Sequence, residues 1–112
     1  MAVAKTGYID GRHYTTYIEE MKALKRSGDL DAAERLLLRC IDATEEEARV
    51  KRWSVAPGYY WHLAIVYRKQ GRLADEASIL ERYKRVASRR GEFGGKFAER
   101  LEKVQAKLGT AE

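Results

Sequence analysis

Tyr60-Trp61-His62-Leu63-Ala64-Ile65-Val66-Tyr67-Arg68-Lys69-Gln70-Gly71 is the stretch that decides the fold. Tyr60, Leu63, Ala64 and Tyr67 recur at steps of three and four, the spacing that lines one face of an α-helix. Gly71 then stops the helix, because a glycine just past a helix end takes the left-handed backbone without a Cβ clash. The earlier stretch from Tyr17 to Cys40 follows the same plan. Tyr17, Ile18, Met21 and Leu24 form a helical stripe, Gly28 closes it, and a second helix carries Ala33, Leu37 and Cys40. Two copies of helix, glycine, helix predict an all-α chain of antiparallel helix pairs, since a short turn returns the second helix along the first.

Working outward, the pattern extends to five helices. The first runs from about Tyr14 to Ser27, with Thr15 or Thr16 as its candidate cap and Glu19, Glu20, Lys22, Lys25 and Arg26 facing away. Asp29 is suited to cap the second, Leu30 to Trp53, whose inward line is Leu30, Ala33, Leu37, Cys40, Ile41, Thr44 and Ala48. The charged run Glu45 to Arg52 reads as a solvated extension of that helix, with (i, i+4) pairs from Glu45 to Arg49 and from Glu47 to Lys51. Pro57 fits the first turn of the third helix, about Gly58 to Gln70, because its missing N–H would be unpaired there anyway.

The fourth helix, Leu73 to Arg89, turns Leu73, Ala77, Leu80, Tyr83 and Ala87 inward. The fifth, Lys96 to Leu108, does so with Phe97, Leu101, Val104 and Leu108, leaving Glu99, Arg100, Glu102, Lys103 and Lys107 outside as the back of a closing helix. Residues 1–12 show no sustained period, which predicts a flexible N-terminal arm that orders only where Tyr8 and Ile9 dock it. The domain expected is single, spanning 1–112: arm 1–12, first pair 14–53, second pair 58–89 and capping helix 96–108.

With 112 residues and 45% hydrophobic composition the chain can build one modest core. Its one cysteine, Cys40, lies between Leu37 and Ile41 on the apolar line and reads as a small buried hydrophobe, which fits a reducing compartment. No apolar run is long enough to span a bilayer and no secretory leader opens the chain, so a cytoplasmic location without membrane contact is expected. His13 and His62 are the only histidines. Neither has cysteine or carboxylate neighbours at metal-ligand spacing, and no Gly-rich phosphate loop occurs, so no catalytic residue, metal or cofactor, and no enzyme activity, is expected.

The quoted segment resembles the first helix of a tetratricopeptide repeat, with Tyr60 and Tyr67 in the aromatic places, Leu63 in the Leu place, Ala64 in the small place and Gly71 at the turn. Gly28-Asp29-Leu30-Asp31-Ala32-Ala33 with Leu37 and Cys40 resembles the turn and second helix of the same repeat. The repeats are degenerate, since the distance from Gly28 to Gly71 exceeds the family period of about 34 residues and the surplus falls in the long second helix. The wording from His13-Tyr14-Thr15-Thr16-Tyr17 onward also looks like repeat-type modules attached to larger actinobacterial proteins.

The resemblance implies a protein–protein interaction module or adaptor whose concave face is lined by the first helix of each pair. Carried over by position, the partner-binding residues are Ile18, Lys22, Lys25 and Arg26 from the first pair and Trp61, Ile65, Arg68 and Lys69 from the second. Thr15 and Gly58 lie at the rim. An apolar floor with cationic walls suits an acidic protein or peptide segment. The carboxylate-binding subgroup of the family grips its ligand with paired Asn, and this chain contains no Asn.

The same cations equally serve to solvate a helix face. A small basic nucleic-acid-associated protein is the alternative function, given a net charge of +5, a sequence pI near 9.4 and the run Arg82, Arg85, Arg89, Arg90 beside Tyr83. Against it, 17 acidic residues are interspersed with the basic ones. Two repeats with Tyr8, Trp53, Tyr59 and Trp61 to cover also point to a homodimer.

Overall fold

The computed structural model describes residues 5–110, with side-chain surroundings through Gly109. A small hairpin, β1 (Tyr8–Ile9) and β2 (Arg12–His13), leads into a 3₁₀ turn (Tyr14–Tyr17). The helices α1 (Ile18–Ser27), α2 (Leu30–Lys51), α3 (Pro57–Lys69), α4 (Leu73–Ser88) and α5 (Gly95–Thr110) follow. The chain is therefore essentially all-α, as its periodicity predicts. Its contacts group into two compact units, one ending at Tyr59 and the other beginning at Tyr60, so the boundary falls inside the first turn of α3.

The repeated glycine turn is the clearest link between sequence and backbone. Gly28 adopts φ +79°, its N–H bonds Lys25 O at 3.2 Å, and Asp29 N–H bonds Leu24 O at 3.0 Å. Gly71 does the same after α3, with φ +69° and the bonds Gly71 N–H to Arg68 O at 3.1 Å and Arg72 N–H to Tyr67 O at 2.9 Å. Both turns tie the N–H of the residue after the glycine to a carbonyl five residues back, which satisfies carbonyls that the helix end would otherwise leave free. Asp29 caps α2 as expected, accepting from Ala32 N–H at 3.2 Å. Arg72, at the equivalent place before α4, provides no side-chain cap and bonds Asp75 instead, at 2.8 Å.

In the first unit the core consists of Met21 from α1, Ala33, Leu37, Cys40 and Ile41 from α2, and Tyr14, Tyr17 and Tyr59. The expected cap Thr15 or Thr16 is replaced by His13, whose Nδ1 accepts from Thr15 N–H at 3.4 Å while its carbonyl accepts from Thr16 Oγ1 at 2.8 Å. The helix itself starts one turn late, at Ile18, because residues 14–17 wind more tightly. Thr44, buried on the inward line of α2, accepts from Ala56 N–H at 2.9 Å and so fixes the entry to α3. Helix α2 stops at Lys51, short of the expected Trp53. Arg52 takes the left-handed conformation at φ +56° and Trp53 N–H bonds Ala48 O at 3.1 Å, the same turn built without glycine.

The arm is docked where it is described; residues 1–4 lie outside the described residues. Asp10 and Gly11 both have positive φ, 49° and 81°, which is the two-residue turn that matches strand twist. Tyr8 then pairs with His13 and Ile9 with Arg12. Ile9 is buried and Tyr17 Oη donates to its carbonyl at 2.7 Å. Of the two residues expected to dock the arm, Ile9 does so and Tyr8 stays 47% exposed.

In the second unit α3 and α4 meet through Tyr60 and Tyr83, with ring centres 5.1 Å apart, and α5 closes over them with Phe97 against Tyr83 at 4.1 Å and against Trp61 at 5.1 Å. Leu63, Ala64, Val66, Ile79, Leu80, Leu101 and Val104 complete this core.

Candidate functional site

The eight expected binding residues belong to two units and are placed within each. On α1, Ile18 is 38% exposed, Lys22 and Arg26 are exposed, and Lys25 is half-buried. Their spacing of four, three and one residues puts them in one row along the helix. On α3, Trp61 and Ile65 are half-buried while Arg68 and Lys69 are exposed, again in one row, and the opposite side of the helix is closed by Tyr60, Leu63, Ala64 and Tyr67.

The α3 row does not stand free, because α5 supplies two more groups to it. Phe97 meets the Trp61 ring edge-on, and Lys96 Nζ lies 4.4 Å from the centre of the same ring. The Arg68 guanidinium carbon lies 5.9 Å from that centre. A cation near the face of an indole is attracted by the ring quadrupole, so Trp61 is a half-buried platform with positive charge around it.

Beneath the row is a carboxylate that sequence reasoning passed over. Glu76 of α4 is 0% exposed. Arg100 grips it at two points, Nε to Oε2 at 2.7 Å and Nη2 to Oε1 at 3.0 Å, and Arg68 Nε reaches Oε2 at 3.2 Å. Hydrogen bonding to Glu76 is the main reason Arg100 holds its proton more tightly than a free guanidinium. Arg100, expected on the outer face of the last helix, thus points inward, and Arg68 is part of an internal network as well as of the exposed row. A buried carboxylate must be paired, and here both oxygens are.

The first unit holds a second such carboxylate. Glu47, in the run expected to be a solvated extension, is 3% exposed. His13 Nε2 donates to its Oε2 at 2.5 Å and Lys51 Nζ lies 3.6 Å from Oε1, the latter being one of the two expected (i, i+4) pairs. On its other side His13 Nδ1 lies 2.8 Å from Thr15 Oγ1, so the ring is held between Thr15 and Glu47. Gly7 lies directly on this pair. A Cβ at that position would collide with Glu47 Oε2 and stand 2.9 Å from His13 Nε2.

Both missed acids carried a signal. Glu76 follows Leu73 by three and precedes Leu80 by four, and Arg100 stands likewise between Phe97 and Val104, so each sits on its helix's apolar line. Glu47 follows Thr44 by three. A charge within an apolar stripe at helical spacing marks a position where burial follows if an opposite group meets it.

Cys40 is fully buried, and burial pushes its thiol up to about 11, so it behaves as a core residue and not as a nucleophile. Tyr83, named beside the arginines at the end of α4, is buried and offers no free ring face there. Of the rings expected to need a partner copy, Tyr59 is buried and donates to Tyr14 O at 3.1 Å, Trp61 is flanked by Phe97, and Tyr8 and Trp53 remain exposed. No group of three or more potential ligating side chains forms a metal site among the described residues, and no helix is long and apolar enough to cross a membrane. Comparison with protein-family models, with curated proteins and with solved structures found no match for this chain.

Proposed function

We propose that the chain is a protein-interaction module of tetratricopeptide type, an adaptor that holds an acidic segment of a partner protein against the outward row of α3. The observation that carries this reading is the row itself: Trp61 and Ile65 half-buried, Arg68 and Lys69 exposed, and Lys96 brought beside Trp61 by α5. An extended acidic segment would rest apolar side chains on Trp61 and Ile65 and set carboxylates on the flanking cations, which also steer its approach. The repeated glycine turns support the family likeness, because they place α1 before α2 and α3 before α4 as helix-turn-helix units.

The test is a titration of the Trp53→Phe variant, in which Trp61 is the remaining indole. A short peptide of Glu and Leu should shift its emission with saturation, and a peptide of Lys and Leu should not. Charge reversal at Lys69 and Lys96 should weaken the acidic peptide by about tenfold or more, with the remaining binding less sensitive to salt. Equal response to both peptides would remove the α3 row as the site.

A further inference from the structure

The charges around Glu76 do not balance. One carboxylate faces two guanidiniums, and Arg100 engages both of its oxygens from a side chain only 14% exposed. Arg68 uses Nε alone, and its side chain is 39% exposed. The surplus positive charge therefore lies on the outer edge of Arg68, whose two terminal nitrogens have no acceptor among the described residues. Asp75, an acid nearby in sequence, is bound by Arg72 at 2.8 Å. A second surplus charge, Lys96, stands at the Trp61 ring that Arg68 also approaches.

We propose that the Arg68 fork, with Lys96 and the Trp61 ring, is a site for a phosphate monoester on a serine or threonine of the partner protein. The inference rests on the acidic-segment reading and narrows it. An acidic segment needs two separate carboxylates to answer Arg68 and Lys96, whereas a single phosphate monoester carries about −1.5 to −2 and three acceptor oxygens. Two of those match the parallel terminal N–H groups of Arg68, and the third is left for Lys96. Glu76 contributes by holding the guanidinium through Nε, so the fork gives up little rotamer freedom when the ligand arrives. A residue beside the phosphorylated one would lie along Ile65.

The experiment again follows Trp61 emission in the Trp53→Phe variant, with three probes: a Glu and Leu peptide carrying a central serine, the same peptide phosphorylated there, and single-stranded oligothymidylate. The phosphopeptide should bind at least about tenfold tighter than its serine form. Arg68→Lys, which keeps a cation for Glu76 but lacks the fork, should erase that advantage at unchanged helicity, and Lys96→Gln, at an exposed position, should reduce it. Should Arg68→Lys unfold the chain, Lys96→Gln carries the test alone. Equal affinity for the two peptides overturns the phosphate site and leaves the acidic-segment reading standing. Absence of binding by either overturns both, and oligothymidylate binding as tightly, with the same dependence on Lys96, assigns the site to nucleic-acid phosphate instead.

Discussion

Arg100 Nε lies 2.7 Å from Oε2 of Glu76 and Arg100 Nη2 lies 3.0 Å from Oε1, a two-point bond that joins the last helix to a carboxylate with no exposure to water. The packing of α5 on α4 is therefore set by charge as well as by Phe97, Leu101 and Val104. Removing Arg100 leaves the carboxylate with a single bond to the half-exposed Arg68. Arg100→Met should lower unfolding free energy by about 3 to 5 kcal/mol, because a buried charge that loses its partner costs far more than the pair contributes. Urea denaturation reads this directly, and a loss below about 1 kcal/mol would show that Glu76 finds water or another partner.

Gly7 is the second sensitive point, for a steric reason. Its φ of +80° disfavours any side chain, and a Cβ there meets Glu47 Oε2 and His13 Nε2. Gly7→Ala should cost about 1 to 3 kcal/mol and loosen the hairpin selectively. The selective readout is hydrogen exchange at Tyr14 N–H, which bonds Gly7 O at 2.8 Å. Exchange there should accelerate before exchange in α2, and unchanged protection would contradict the docked arrangement.

Alkaline pH should destabilise the fold. The Cys40 thiol is held up to about 11 in the folded chain by burial, against an ordinary 9.0. Burial raises Tyr59 in the same direction. Above pH 9 the unfolded chain releases the thiol proton while the folded chain keeps it, so the unfolded state binds fewer protons and stability falls as pH rises toward 11. Urea midpoints at about pH 8 and about pH 10.5 should differ. Cys40→Ala, although less stable at the lower pH, should show a flatter slope, and an unaltered slope would assign the effect to other groups.

Ala64 is fully buried on α3, at the small-residue place of the repeat-like segment. Ala64→Leu should cost about 1 to 3 kcal/mol through overpacking. Ala33→Leu on α2 should behave alike, as Ala33 is also 0% exposed. Ala23→Leu and Ala106→Leu, at exposed helix positions, serve as controls whose melting temperature should move little.

What the sequence determined alone was the all-α fold, the five helices and the two glycine turns. Those follow from local rules: apolar residues at steps of three and four, a left-handed glycine past a helix end, and Asp29 or Pro57 at a helix start. The exposed rows on α1 and α3 were legible for the same reason, since spacing along a helix fixes which residues share a face. The hairpin at residues 8–13 was also written locally, in the Asp10-Gly11 pair, but its strands are too short for an alternating pattern to show.

Tertiary structure decided which charges are inside. Glu47, Glu76 and Arg100 occupy apolar-line positions, yet a charge is buried only where an opposite group from elsewhere in the chain meets it. His13 reaches Glu47 across 34 residues and Arg100 reaches Glu76 across 24. Desolvating a carboxylate costs several kcal/mol, so its burial depends on that distant partner, and no local pattern encodes the meeting.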